Sequence, residues 1–502
     1  MLYDFEWLNP GKPFPPVAEA DRITRYVQNN LLFQGEHFDP NTGRNLYEEA
    51  ITRIMNTGYF NDCPVCYPIL LNYQRLVSLK KADMVCGEEP EITGIDSRFN
   101  DMLTALRQEI GLDPKLYATV IDLSRYGDAV WRKYVDENGK GTFTVWSPID
   151  WYPIVTKDGT YRITHHVLAW QYNRGTEESP DWRLAVQIHP VEGGYFISRE
   201  YTATDYHGFI GDLVYENTIT QTGFKDCAVV HISNINTSGT IFGYDDYTPI
   251  DSILCEIMTR IAQISSILDK HSAPAMTGPA TMLSYDPATG ERYLKKDQFF
   301  AVSPGEPLPS YLTWNGQLDS AFKELDVLFK QLYVITEMGE AILGLSEGSG
   351  QAISGTAMRF KMAAPLITVR RLTNVLTYPV KQLLHSVTTV GRQEIPDNQI
   401  SIKWNDGLPT DPREDAELAK LLTGAQQLMP VTDALEEFMH VTVAEAQRWR
   451  KQILQDQQEF NQEDSNRGGG IDTTTQVNAR KKGSDTGVTS FHGENNKPLT
   501  QV

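Results

Sequence analysis

Long apolar runs are missing from this 502-residue chain. No stretch of eighteen apolar residues occurs, so no membrane-spanning helix is expected. The start, Met1-Leu-Tyr-Asp-Phe-Glu-Trp7, has neither the basic segment nor the apolar core of a secretory signal, and a soluble, cytosolic protein is expected. Cysteine is scarce: Cys63, Cys66, Cys86, Cys227 and Cys255 make no disulfide framework in so long a chain, and reduced thiols are expected. Net positive charge is absent, since 45 basic against 65 acidic residues give −20, which excludes a protein that coats nucleic acid by broad phosphate neutralisation. Phosphate-cradling motifs are missing too. No G-x-x-x-x-G-K-[ST] occurs and no G-x-G-x-x-G follows a strand pattern, so no ATP-hydrolysing machinery is expected.

One further absence is local. Between Glu347 and Glu394 there is no Asp or Glu, where average composition would put roughly six, and the segment holds Arg359, Lys361, Arg370, Arg371, Lys381 and Arg392. Something anionic is expected to pass or pack there. The candidate partners are DNA phosphates or carboxylates of a neighbouring subunit.

At 502 residues and 40% hydrophobic content, several domains with buried cores are expected. Leu70, Tyr73, Leu76 and Val77 recur at helical spacing up to a stop at Gly87; Phe99, Met102, Leu103, Leu106 and Ile110 mark a second helix. From Asp128 the pattern changes to short alternating runs, with hairpin corners at Asn138-Gly139 and Asp158-Gly159, strand-forming Trp131, Tyr134, Phe143, Val145 and Trp146, and further strands near 162–170, 183–188, 195–197 and 228–232. A long helix should begin at Thr248-Pro249, its electropositive start favoured by Asp245-Asp246, with Ile250, Ile253, Leu254, Ile257, Ile261, Ile264 and Leu268 on one stripe. A second should run from Gln317 to Ala341 on the heptad Leu318, Phe322, Leu325, Phe329 and Leu332 and pack against the first. Between them lies a Pro/Gly-rich insert with a hairpin at Asp286–Gly290. The glycine-rich loop 344–355 then leads into a basic helix from Ser354 to His385, kinked at Pro365 or Pro379. Ile400–Trp404 reads as a strand returning to an earlier sheet. Helices follow from Asp411-Pro412 and from Thr442 to about Phe460, and the polar remainder is expected to be disordered.

Three motifs invite chemical readings. Gly344-Leu-Ser-Glu-Gly348 fits the hydrolase nucleophile elbow with Ser346 as nucleophile, but that device needs a strand before the serine, and a helical pattern precedes it. Cys63-Pro-Val-Cys66 has no second close ligand pair; Cys86 and His165-His166 lack ligand spacing, so a zinc site is not expected. Carboxylates are scattered. Neither a catalytic residue nor a cofactor is expected.

In order, the elements resemble the portal proteins of tailed bacteriophages, rings through which viral DNA enters and leaves the capsid. Two motifs carry the resemblance: Cys86-Gly-Glu-Glu-Pro90 is similar to the family's Gly-Glu-x-Pro, and Ser354-Gly-Thr-Ala-Met-Arg-Phe-Lys-Met362 to its Ser-Gly-x-Ala-x-Arg helix start. The resemblance covers roughly residues 60–460 and implies an α+β multidomain fold. Its parts are an α/β wing (1–240), a helical stem (241–271 and 314–343), a small β-containing clip (272–313) and a tunnel loop (344–355). A kinked tunnel helix (356–390), a wing return strand (391–410), a helical crown (411–460) and a tail (461–502) complete it. It implies a DNA-facing loop of Ser346, Glu347, Gly348, Ser349, Gly350 and Gln351, and a tunnel-helix interface of Arg359, Lys361, Arg370, Arg371 and Lys381. Clip contacts would be Tyr285, Asp286, Arg292 and Tyr293. The implied partners are about eleven further copies of the chain, double-stranded viral DNA in transit, the terminase large subunit, head-completion and tail-adaptor proteins, and capsid and scaffold proteins. The implied location is the capsid portal vertex of the virion, after synthesis in the host cytoplasm.

Overall fold

The computed structural model describes residues 1–35, 69, 71–272, 276–277, 283–285, 287–294, 305, 310–311, 318–342, 360–405, 412–424, 428–439, 441 and 443–467. The fold class is α+β, and the chain divides into two compact units, Met1–Pro409 and Thr410–Val502.

The first unit opens with α1 (Ala20–Gln34) and α2 (Tyr73–Cys86); Asn72 caps α2 by accepting the Arg75 N–H at 3.0 Å, and Gly87 ends it as expected. A short strand β1 (Glu91–Gly94), not anticipated from the sequence, leads to α3 (Asn100–Ile110), which buries Leu103, Leu106 and Ile110. Gly111, at φ 60, turns the chain directly into α4 (Leu112–Tyr126). At the other end of α4, Gly127 and Gly243 meet backbone to backbone. A Cβ on Gly243 would lie 2.0 Å from the Gly127 carbonyl oxygen, so only glycine fits.

Eight strands follow: β2 (Asp128–Val135), β3 (Gly141–Trp146), β4 (Trp151–Val155), β5 (Ile163–Asn173), β6 (Trp182–Pro190), β7 (Tyr195–Ala203), β8 (Ile210–Gln221) and β9 (Val229–Ser233). They form two antiparallel sheets, β3-β2-β9 and β4-β5-β6-β7-β8. The expected corners hold: Gly139 and Gly159 take φ 75 and 81 in their turns. β7 runs past the expected end at Ile197 and β8 was not anticipated, because β8 is an edge strand whose repeated register shifts and mostly exposed side chains erase the alternation. Along β2, Ala129 and Trp131 face the helices while Val130 faces Leu168 of the second sheet.

Helix α5 (Asp251–Ser272) starts after the expected Thr248-Pro249, which form a turn pinned by Asp245 accepting the Tyr247 and Thr248 N–H groups at 2.9 and 2.7 Å. Asp246 does not share that capping role. Its carboxylate pairs with Lys81 at 2.7 Å. In the insert, β10 (Met276–Thr277) pairs with β13 (Ser310–Tyr311), and β11 (Leu283–Tyr285) with β12 (Arg292–Leu294), the latter the expected hairpin with Gly290 at φ 73. Helix α6 (Leu318–Thr336) packs on α5 as expected: Leu254, Ile257, Met258 and Ile264 share one cluster with Leu325 and Leu332. Leu268 and Phe322 fall outside the seam, about half exposed at 52% and 50%.

The helix expected to continue to Ala341 breaks instead. Glu337 takes φ 57 and Gly339 φ 66, and a short α7 (Gly339–Ile342) follows. The basic helix α8 (Ala363–Thr388) also departs from expectation: Phe360 and Lys361 are helical, Met362 lies in a turn, and α8 proper begins after it. Pro365 therefore sits in the first turn, where a missing N–H breaks no bond, and only Pro379 lies inside the helix. Strand β14 (Ile400–Lys403) does return to an early element, but pairs with β1 alone, Glu91 opposite Lys403, rather than joining the meander.

The second unit contains α9 (Pro412–Leu422), α10 (Val431–Met439) and α11 (Val443–Arg467). The last helix passes its expected end at Phe460, since neither Gly nor Pro interrupts the chain before Gly468. The tail from 468 lies outside the described residues.

Candidate functional site

Helix α8 is amphipathic across an unusual boundary: one side is core, the other is cationic and apolar. Val369, Leu372, Leu376, Val380, Leu383, Leu384 and Val387 are buried in the cluster built by α3, α4, β2 and β3. The opposite stripe, Phe360, Ile367, Arg370, Asn374, Tyr378 and Gln382, is exposed at helical spacing, with Phe360, Ile367 and Tyr378 at 79%, 60% and 61%. Lys361 is exposed beside it and Lys381 is partly exposed. Among the described residues, none of Lys361, Arg370 and Lys381 has a carboxylate partner. Such a face suits an anionic surface that also offers apolar contact.

Four polar anchors fix this helix to the rest of the unit. Near its start, Glu337 accepts from the Thr368 hydroxyl and from Arg371. Burial pushes the Glu337 carboxyl up, but those two donors outweigh it and leave its pKa below the ordinary value. At mid-helix the Trp404 indole N–H donates to Thr377 Oγ1 at 2.9 Å, which ties the segment after β14 to α8. Towards the end, Lys133 Nζ reaches Asp226 at 2.5 Å and Ser386 Oγ at 2.7 Å, while Ser386 donates to Asp226 at 2.6 Å. Beyond the helix, Arg392 pairs with Glu109 at 3.1 Å and donates to the Gly141 carbonyl at 2.9 Å.

Arg371 and Arg392 are satisfied within their own chain, because the break at Glu337 and the turn after α8 bring carboxylates to them. Lys361, Arg370 and Lys381 stay on the open side. Arg359 and the whole loop Ser346, Glu347, Gly348, Ser349, Gly350 and Gln351 lie outside the described residues, as do Cys63, Cys66 and Asp286. In the insert, Tyr285 is 64% exposed and pairs with Arg292 across the hairpin, while Tyr293 pairs with Ser284. Glu337, Lys133, Asp226 and Ser386 were not foreseen. The available signal was Glu337 two residues before Gly339 at the end of a heptad; the other three are distant in sequence and carry no pattern.

The Cys86-Gly-Glu-Glu-Pro90 segment is gathered by Arg107, which pairs with Glu89 at 2.9 Å, donates to the Pro90 carbonyl at 3.0 Å and pairs with Asp113 at 2.8 Å. Burial, reinforced by Asp113, pushes the Cys86 thiol up to about 12, which disfavours the thiolate form. His166 is a core residue on β5: its Nδ1 accepts from the Trp151 indole at 3.1 Å, and burial pushes it down to about 3. No group of metal-ligating side chains occurs among the described residues. Upstream of the Ser346 motif, residues Gly339–Ile342 are helical, α7, and residues 344–348 themselves lie outside the described residues.

No protein-family model matches the chain. No curated protein matches it either. Among solved structures, it is similar to a chain from the neck of an empty gene transfer agent particle computed with C6 symmetry, at 12% identity and TM-score 0.44, covering 77% of this chain and 92% of that one. A chain from the neck of the native particle computed with C12 symmetry gives 13% identity and TM-score 0.44, covering 82% and 97%. A chain from the virion of the native particle gives 13% and 0.42, covering 82% and 98%.

Proposed function

We propose that this chain is a portal-like subunit of a tailed-phage virion, without catalytic residues, that assembles into a ring around passing double-stranded DNA. The observation that carries this reading is the order of elements. Two mutually packed helices, α5 and α6, flank a short insert with a β-hairpin; an acid-free helix, α8, follows, buried on one side and cationic on the other; and β14 then returns to β1. The charge balance supports it. Roughly twelve copies at −20 would give a conduit near −240, which repels the phosphate backbone, holds a duplex off the wall and lets it slide. Lys361, Arg370 and Lys381 would then supply a few weak contacts to DNA or to an acidic face of the next copy. Terminase, adaptor, capsid and scaffold contacts belong to the same proposal, with the exposed hairpin tip at Tyr285 on the docking surface. Negative-stain electron microscopy of the purified chain should show rings with a central hole. A strictly monomeric protein at high concentration would overturn the reading.

A further inference from the structure

A cavity of about 610 Å³ opens beneath the β4–β5 turn, between residues 159–163, strand β9 and the loop 236–241. Its lining is rich in hydroxyls: Thr160, Tyr161, Ser233, Thr237, Ser238 and Thr240. Ile163 and Ile241 add apolar wall, and no Asp, Glu, Lys or Arg lines it. The His231 imidazole also lines it, and that ring is held from two sides. It stacks on Trp151 with centroids 4.2 Å apart, and its Nε2 lies 2.6 Å from Asp128 Oδ1. Asp128 is fully buried and is itself oriented by the Gly243 N–H at 3.0 Å and the Tyr26 hydroxyl. The other ring nitrogen, Nδ1, has no hydrogen-bond partner among the described residues. The rim is equally fixed. Asp158 accepts the Thr160 N–H at 3.0 Å and the Thr160 hydroxyl at 2.6 Å, and Tyr161 is held at φ 52, a left-handed conformation that is costly for an aromatic residue.

We propose that this cavity binds a neutral polyhydroxylated small molecule of saccharide type, with His231 Nδ1 hydrogen-bonded to one ligand hydroxyl. Size is the first reason, since the volume lies within the range of small-molecule sites. Chemistry is the second. Uncharged hydroxyls give and take hydrogen bonds with a polyol, and the Tyr161, Ile163 and Ile241 side chains suit its C–H faces. A phosphorylated ligand or a DNA backbone would need cationic side chains, which the lining lacks, and would approach the buried Asp128 carboxylate. This site stands apart from α8 and does not depend on the portal reading.

Saturation-transfer difference NMR on the full chain tests it, with glucose, galactose, N-acetylglucosamine and rhamnose as probes and inorganic phosphate as the anionic competitor. At least one sugar should bind with a dissociation constant on the order of millimolar, unaffected by phosphate. Ser238→Trp, which fills the cavity, should weaken binding at least about tenfold, and Thr237→Trp on the same exposed loop is the second variant should the first fold poorly. His231→Gln should weaken it too, while keeping a donor to Asp128. Absence of binding by all four sugars to the folded chain, displacement by phosphate, or wild-type binding in a folded cavity-filled variant would each overturn the proposal.

Discussion

Removing Asp226 should destabilise the chain more than removing the lysine it pairs with. Lys133 is 1% exposed, whereas Asp226 is 57% exposed, so the two ends of the bond sit in different media. Asp226→Ala leaves a buried ammonium with Ser386 as its only hydrogen-bond partner among the described residues, beside the Phe224 ring at 5.2 Å, and Ser386 loses its own acceptor. Orphaning a fully buried charge costs about 3–5 kcal/mol; solvent screening at the exposed carboxylate reduces this to about 2–3 kcal/mol. Lys133→Met removes the buried charge itself, keeps an apolar stem in contact with the core, and returns Asp226 to water, at a cost of about 1 kcal/mol or less. The double variant should resemble Lys133→Met alone. Urea unfolding of the full chain, followed by circular dichroism, would show the difference as a shift in midpoint at constant slope. A pH series adds a second check. Burial raises the Asp226 pKa, but Lys133 and Ser386 outweigh it, and the folded value lies below the ordinary 3.8. Its stabilisation is therefore complete above about pH 4 and is lost as pH falls through the folded pKa, a loss that Asp226→Ala should not show. If Asp226→Ala costs no more than Lys133→Met, the unequal burial of the pair is not what sets their contributions.

Three further outcomes are expected. Glu337→Gln should cost about 1 kcal/mol by weakening its bonds to Thr368 and Arg371, and should remove a stabilisation present above pH 4.5 and lost at lower pH, because the folded pKa is depressed; thermal melts at pH 7 and pH 3.5 would show both. Asp150→Asn should stabilise by about 1–3 kcal/mol at pH 7, since burial raises this carboxyl from 3.8 to about 6; stability of the parent chain falls as pH rises across that window, and the gain should vanish below pH 4 in the same melts. Gly243→Ala should cost more than about 3 kcal/mol, because its Cβ would meet the Gly127 carbonyl oxygen at 2.0 Å and the Asn234 nitrogen at 2.8 Å; near-normal soluble yield and melting temperature would contradict this.

Periodicity made much of this fold legible. The spacing of Leu103, Leu106 and Ile110 and the turns at Gly139, Gly159 and Gly290 are local instructions, written in residues that are neighbours along the chain or one helical turn apart. So was the packing of α5 on α6, where the heptad named Leu325 and Leu332 before any partner was known. Strands β1, β4 and β8 escaped notice because a four-residue strand has too few alternations, the wholly buried Trp151–Val155 has none, and an irregular edge strand has the wrong ones.

Charge composition alone determined that residues 348–393 lack any carboxylate and so present cations without local neutralisation. Which of those cations stay open was decided only in three dimensions. Arg371 and Arg392 find Glu337 and Glu109 across 34 and 283 residues of chain, whereas Lys361, Arg370 and Lys381 have no carboxylate within ion-pair distance among the described residues. The same holds for the cavity at His231, whose orienting Asp128 is 103 residues distant. Local sequence sets backbone preference and the side of an element that is apolar; the folded chain alone sets which side chains from distant segments come within a few ångströms, where hydrogen bonds and ion pairs have their strength.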